Sequence, residues 1–459
     1  MVRSFALSPV LPPRILRESK SLLHLLLRRL LSFYILQLEP NLSGLQMGEK
    51  MLWQYEMGKI LKAISFYIVI FVLTGFSLVI CATKQNDLNN DAQLQKDVKL
   101  AQSFGVRLDE EFALGFYKQI CSTEEFAEFA ALYYQKTGRR FSAACYEESR
   151  QQLENWIRLR PDGEMTLTET ETEILSDFKT LLNEYESLVY GPEEAYKALL
   201  EELERNAADQ SVINRIKEII TEKQASFLFN TKILDFVNTV WKASFACLLI
   251  GSMYIALYPL FLDQESGASS VLDTTKKRFS FSAARYFASV CSTPVLYGAV
   301  FALPMLLSGF DSKTRLFLQA DLCSAVLPSA QNRPFFITSG SITFKEYILL
   351  LFIAAFVMQQ LLLLVIHGLN SLFQSSYISL CLVIILGAAV LTFYTIYYER
   401  FYNLLRFLPF SSLADPMLIC CGLSRLPESW SAIAVIHAAI AVLFFVGCRM
   451  LKRRLYRKH

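Results

Sequence analysis

The chain has 459 residues, 53% of them hydrophobic and 19% charged, which is too apolar a mixture for an ordinary soluble enzyme. Its formal net charge is only +3, without the basic excess of a nucleic-acid-binding face, so no nucleic-acid partner is expected. The apolar residues gather in blocks of about 20, the length that crosses ~30 Å of hydrocarbon.

Residues 1–50 form an N-terminal extension. Its apolar stretch LLHLLLRRLLSFYILQL has Arg28 and Arg29 at the centre, where each charge costs about 2.5–3.5 kcal/mol in a membrane. It is therefore not expected to span. Two readings stay open: an interfacial helix, or an over-extended reading frame whose natural start is Met47 or Met51.

Residues 51–81 read as an interfacial helix and a first span, AISFYIVIFVLTGFSLVIC over about 63–81, approached through Lys59 and Lys62. From about 82 to 240 the charges become dense, and this insert reads as a mainly helical extracytoplasmic domain. In TETETEILSDFKTLLNEYESLVY, residues Ile174, Leu175, Phe178, Leu181, Leu182, Tyr185, Leu188 and Val189 share one helical face. Gly191-Pro192 breaks that helix, and Pro192 suits the first position of the next one. A third pattern runs through Val212, Ile213, Ile216, Ile219 and Ile220. The insert is long enough to bury a core.

Further spans are expected near 242–262, 286–308, 345–367, 376–398 and 432–450. The fold class is then an all-α polytopic membrane protein with about six transmembrane helices, its permease-like bundle occupying 241–459. Pro259, Pro294 and Pro304 fall inside spans, where neighbouring helices can re-satisfy the freed carbonyls.

Basic residues set the orientation. Arg449, Lys452, Arg453, Arg454, Arg457 and Lys458 follow the last span, and Lys276, Lys277, Arg278 and Arg285 lie between the second and third. Lys50, Lys59 and Lys62 precede the first. Six crossings bring all three groups to one side, which the positive-inside rule makes cytoplasmic. The expected location is a bacterial plasma membrane, with 82–240, 309–344 and 399–431 facing outward.

Little in the chain promises bond-making chemistry. There is no phosphate-binding G-x-x-x-x-G-K-[ST] loop and no H-E-x-x-H. The ten cysteines form no C-x-x-C pair, so neither a metal nor a cofactor is expected. Cys121 and Cys145 in the insert pair if it faces an oxidising space, or stay free thiols. His367 ends the fourth span as an interfacial polar cap or, less simply, a proton relay. Gln359 and Gln360 lie inside that span, where amides bond neighbouring helices or line a pathway.

The loop DQESGASSVLDTTKKRFSFSAARYFAS carries the most specific pattern. It resembles the permease subunits of ABC transporters of the type-two exporter family. Those permeases leave the second span through an acidic residue, a glycine, an apolar position, Thr or Ser, then Arg, with a basic residue opening the third span. Glu265, Gly267, Leu272, Thr274, Arg278 and Arg285 occupy the matching positions. The approach MLWQYEMGKILK is similar too, through Tyr55, Glu56, Lys59, Ile60 and Lys62. The resemblance covers about 51–81 and 240–450 and leaves the insert uncovered.

That resemblance implies a non-catalytic subunit exporting a drug, peptide or lipid-like substrate. Its partners would be a separate ABC ATPase chain, a second copy or related permease, and the lipid bilayer. The loop would receive the ATPase's push, with Leu272, Phe279 and Phe281 as apolar knobs and Lys276, Lys277 and Arg278 meeting acidic groups. The blander reading is a plain positive-inside loop. A different class, ABC-type mechanotransmission through the outer domain, suits the large insert, although such relatives commonly have four spans. A multi-pass membrane transferase would need clustered acids or histidines at a membrane face, and none is legible.

Overall fold

Long apolar runs must close their backbone hydrogen bonds within one segment, so they become helices. The computed structural model describes residues 47–141, 144–158, 167–205, 210–267, 278–327, 333–334, 340–373 and 375–405, with positions 439, 442, 443, 446, 447 and 450. Four of its helical stretches are long and apolar enough to cross a membrane: Ile64–Asn89, Thr231–Glu265, Ala283–Gly309 and Phe344–Phe373. The chain is a mainly helical membrane protein. Among the described residues, the named strands are Val326–Leu327 and Arg333–Pro334, paired antiparallel.

Helix α1 (Met47–Leu61) turns at Ala63 into α2 (Ile64–Asn89). The insert follows as α3 (Ala92–Phe104), α4 (Glu110–Cys121), α5 (Glu124–Thr137), α6 (Tyr146–Arg158), α7 (Glu169–Val189), α8 (Gly191–Arg205) and α9 (Gln210–Thr221). The chain returns through α10 (Thr231–Glu265), then α11 (Arg278–Leu296), a π-helical turn (Tyr297–Ala302) and α12 (Leu303–Gly309). A short α13 (Ser312–Leu316) precedes the last two described helices, α14 (Phe344–Phe373) and α15 (Ser376–Leu405).

The amphipathic α7 reads as the sequence pattern predicts. Leu175, Phe178, Leu182 and Tyr185 are buried. Thr168 starts the helix with a capping box, exchanging hydrogen bonds with Glu171. Its face meets an aromatic cluster in which Phe129 and Phe178 stack at 4.0 Å and Trp156 meets Phe129 edge-on. Ile213, Ile216 and Ile219 of α9 are likewise buried. Pro192 is the second residue of α8 rather than the first.

Hydropathy places the spans but not their ends. Helix α2 runs on to Asn89 instead of stopping near 81, and α10 begins at Thr231 instead of near 242. The bilayer limits where a helix must be apolar, while capping decides where it stops. Helix α15 covers the fifth predicted span, with its apolar stretch at Ser376–Ala389. The sixth, 432–450, lies outside the described residues except at six positions.

Helix α10 is the axle of the bundle, packed against α2, α11, α12 and α14. Gly251 lets α11 approach closely, because a Cβ there would lie 2.6 Å from Leu296 Cδ1. By contrast α2 leaves Ile68, Phe71, Val72, Phe76 and Val79 exposed, the face that lipid would cover. Buried side chains of insert and bundle form one continuous cluster. The insert is therefore seated on the bundle, not merely tethered to it.

The π turn lies between Pro294 and Pro304, which both lack an amide hydrogen. There the Leu303 N–H bonds the Gly298 carbonyl, one residue further back than in an α-helix. Tyr297 OH donates to Phe352 O at 2.8 Å and anchors the turn to α14.

Candidate functional site

Glu56 and Lys59 stand three residues apart on α1, which brings both to one face. That face packs on α10 and α11, at the end of the bundle away from the insert. Glu56 and Ile60 are fully buried. Lys59 Nζ lies 3.1 Å from Glu56 Oε1 and 2.8 Å from Asp263 Oδ1. Asp263 belongs to the last turn of α10 and is buried too. From α11, Arg285 donates through Nη2 to Asp263 Oδ2, and its Nε lies 3.8 Å from Glu56 Oε2.

Two carboxylates and two cations from three helices thus form one neutral cluster. The Tyr55 ring adds a face to Lys59, whose Nζ is 4.9 Å from the ring centroid. Burial pushes the Glu56 carboxyl above the usual glutamate range, although Arg285 and Lys59 pull against it. For Lys59, burial pulls downward, but the bonds to Asp263 and Glu56 outweigh it and leave the ammonium above the ordinary lysine value. Such a cluster adds little net stability over an apolar replacement, yet removing one member is costly because it leaves a buried charge unanswered. Chemically it is a clamp that fixes the geometry of three helices.

Of the residues singled out by the loop pattern, Arg285 enters this clamp. Glu265 is exposed and lies outside it. Gly267 has φ +70°, a left-handed conformation suited to glycine, just after α10 ends. Leu272 and Thr274 lie outside the described residues, as do the side chains of Arg278, Phe279 and Phe281. Arg278 is the first residue of α11. Asp263, the acid that both cations share, was not singled out by the sequence.

Deeper in the bundle, Gln359 Nε2 donates to Ser252 Oγ of α10 at 3.1 Å. Gln360 Nε2 donates to Thr293 Oγ1 of α11 at 3.2 Å. Both amides therefore bond neighbouring helices. Trp241 Nε1 donates to Leu351 O at 3.1 Å and Tyr347 OH to Asn238 Oδ1 at 2.6 Å, extending the same polar stitching. His367 packs between helices. It is buried, with Nε2 3.2 Å from Ser289 Oγ and its ring edge-on to Tyr286. Cys121 and Cys145 are free thiols. Among the described residues, no three potential metal ligands come together.

No protein-family model, curated protein or solved structure matches the chain.

Proposed function

We propose that the chain is the membrane-spanning permease subunit of an ATP-driven ABC exporter, driven by a separate ATPase chain and working with a second copy or a related permease. In this reading it crosses the membrane six times, its termini are cytoplasmic and residues 82–240 face outward. The clamp carries the proposal. Glu56 and Lys59 come from the stretch that resembles the family's approach to the first span, and Arg285 from the residue that opens the third. They meet at Asp263 across a separation of 204 residues between Lys59 and Asp263.

A force applied to the 263–285 loop would reach α1, α10 and α11 together through this clamp. That is what an ATPase closing on nucleotide requires of its membrane partner. Glu265, beside the clamp but exposed, is free to meet the ATPase, and the resemblance gives Gly267, Leu272, Thr274 and Arg278 the same role.

The experiment is co-purification of an ABC ATPase chain with this protein, followed by reconstitution of the two. Glu265→Gln and Arg278→Gln are expected to lower permease-stimulated ATP hydrolysis several-fold while leaving membrane insertion intact. Unchanged stimulation in both variants would count against the coupling role. Cysteine labelling of 263–285 from outside the cell would overturn the whole topology.

A second reading, ABC-type mechanotransmission, is favoured by a different observation. Only Asn90 and Asp91 separate α2 from the first insert helix, so motion of the bundle would pass directly into the insert. Substrate accumulation in inverted vesicles separates the two, because a mechanotransmitter would hydrolyse ATP without accumulating anything.

A further inference from the structure

The insert rejoins the bundle at a junction that the clamp does not touch. Residues 106–108 and 226–228 pair there, with Leu108 N–H on Ser226 O at 3.0 Å and Leu228 N–H on Val106 O at 2.7 Å. Two residues later Asn230 caps α10, its Oδ1 accepting from the Lys232 N–H at 2.8 Å. The other end of the same amide reaches the insert. Asn230 Nδ2 donates to Asp97 Oδ2 of α3 at 2.6 Å, and Gln93 Nε2 donates to Asp97 Oδ1 at 3.1 Å.

Asp97 is only 6% exposed. The charged groups around it are Asp91 at the start of α3, Glu184 of α7 and Lys232 of α10, all lining one cavity of about 320 Å³ beside it. Lys232 Nζ stands 4.0 Å from Asp91 Oδ2, and Lys96 Nζ 3.5 Å from Glu184 Oε1. Lysines answer those two acids, whereas the bonds Asp97 accepts come from carboxamides. The cavity carries Asp91, Gln93, Glu184 and Lys232 among apolar walls and is large enough to admit water, which gives protons a route to Asp97.

We propose that Asp97 is a proton-operated latch between the insert and the N-terminus of α10, closed when Asp97 carries a proton and loosened when it ionises. The proposal holds whichever partner drives the bundle. Both states can be hydrogen-bonded. A protonated Asp97 keeps one oxygen to accept from Asn230, while its hydroxyl donates to Gln93 once that amide turns its oxygen inward. Ionisation leaves a buried carboxylate that only neutral dipoles stabilise, so opening the junction to water relieves it.

Burial raises the Asp97 pKa above the ordinary aspartate range, the two carboxamides pull it back, and Glu184 and Asp91 add to the rise. The sign follows. The closed junction binds the proton more tightly than a hydrated one, so its stability is fully present below the ordinary aspartate value. That stability falls as pH rises through the raised value.

The test is amide hydrogen exchange of the full-length protein in lipid nanodiscs, read at 226–232 from the ordinary aspartate value up to about pH 8 and corrected for intrinsic chemical exchange. Wild type is expected to lose protection several-fold as pH rises. Asp97→Asn, an isosteric neutral side chain, is expected to stay protected and flat across the range. Should that variant fail to fold, Asn230→Ser keeps the helix cap but removes the donor, and is expected to give weak, pH-independent protection. A wild-type profile without pH dependence would overturn the latch, as would a foldable Asp97→Asn or Asn230→Ser variant that keeps the wild-type slope.

Discussion

The two ends of α10 bury carboxylates in opposite ways. At Asp263 each carboxylate oxygen meets a cation, and the four charges of the clamp sum to zero. At Asn230 the bonds to the buried Asp97 come from amides. The first arrangement is costly to break. The second loses its reason for being closed when the carboxyl ionises. One helix is thus pinned rigidly at one end and conditionally at the other.

The largest test of this contrast is Arg285→Met, which leaves Glu56 and Asp263 with Lys59 as their remaining cluster cation. It is expected to cost about 3–5 kcal/mol, the usual price of orphaning a buried charge, read as a lowered midpoint in thermal unfolding monitored by size exclusion. Asn230→Ala at the opposite end removes a cap and a donor to Asp97, and is expected to cost about 1–2 kcal/mol. A loss at Asn230 larger than at Arg285 would reverse the contrast. Glu56→Gln is expected to cost less than Arg285→Met, because burial already works against the Glu56 charge. With the Glu56 carboxyl held above its usual range, its contribution falls as pH climbs from the ordinary glutamate value through the raised one. The glutamine variant should flatten that part of the stability profile. Smallest is Gln359→Leu, about 0.6 kcal/mol or less, because it removes one bond to Ser252 along with a buried Oε1 that lacks a partner.

The sequence made the helices legible because each advertised itself locally: α7 by its apolar face and capping box, α2, α10 and α14 by uninterrupted apolar runs. The cations of the clamp were legible too, as basic residues flanking spans. Asp263 was not. Attention to the loop pattern falls on Glu265, but successive helical residues turn by about 100°, so Glu265 points well away from the buried face. The available signal was the spacing of Asp263 from Leu260 and Ala256, three and seven residues back, both buried. Asp97 and Asn230 lie 133 residues apart, and each looks like an ordinary polar residue near a helix end. Only the fold brings them together. The burial of His367 escaped for a similar reason: its cover, Ser289 and Tyr286, comes from another helix.

The π turn at Tyr297–Ala302 holds one more residue than its span needs. Returning it to ordinary winding would swivel Leu303–Gly309 by about 100° and lengthen the helix by about 1.5 Å, with Arg285 still fastened at its other end. The helix Ala283–Gly309 is thus divided by the π turn into two halves of different register. The half beyond the π turn would then rotate relative to the half that Arg285 fixes.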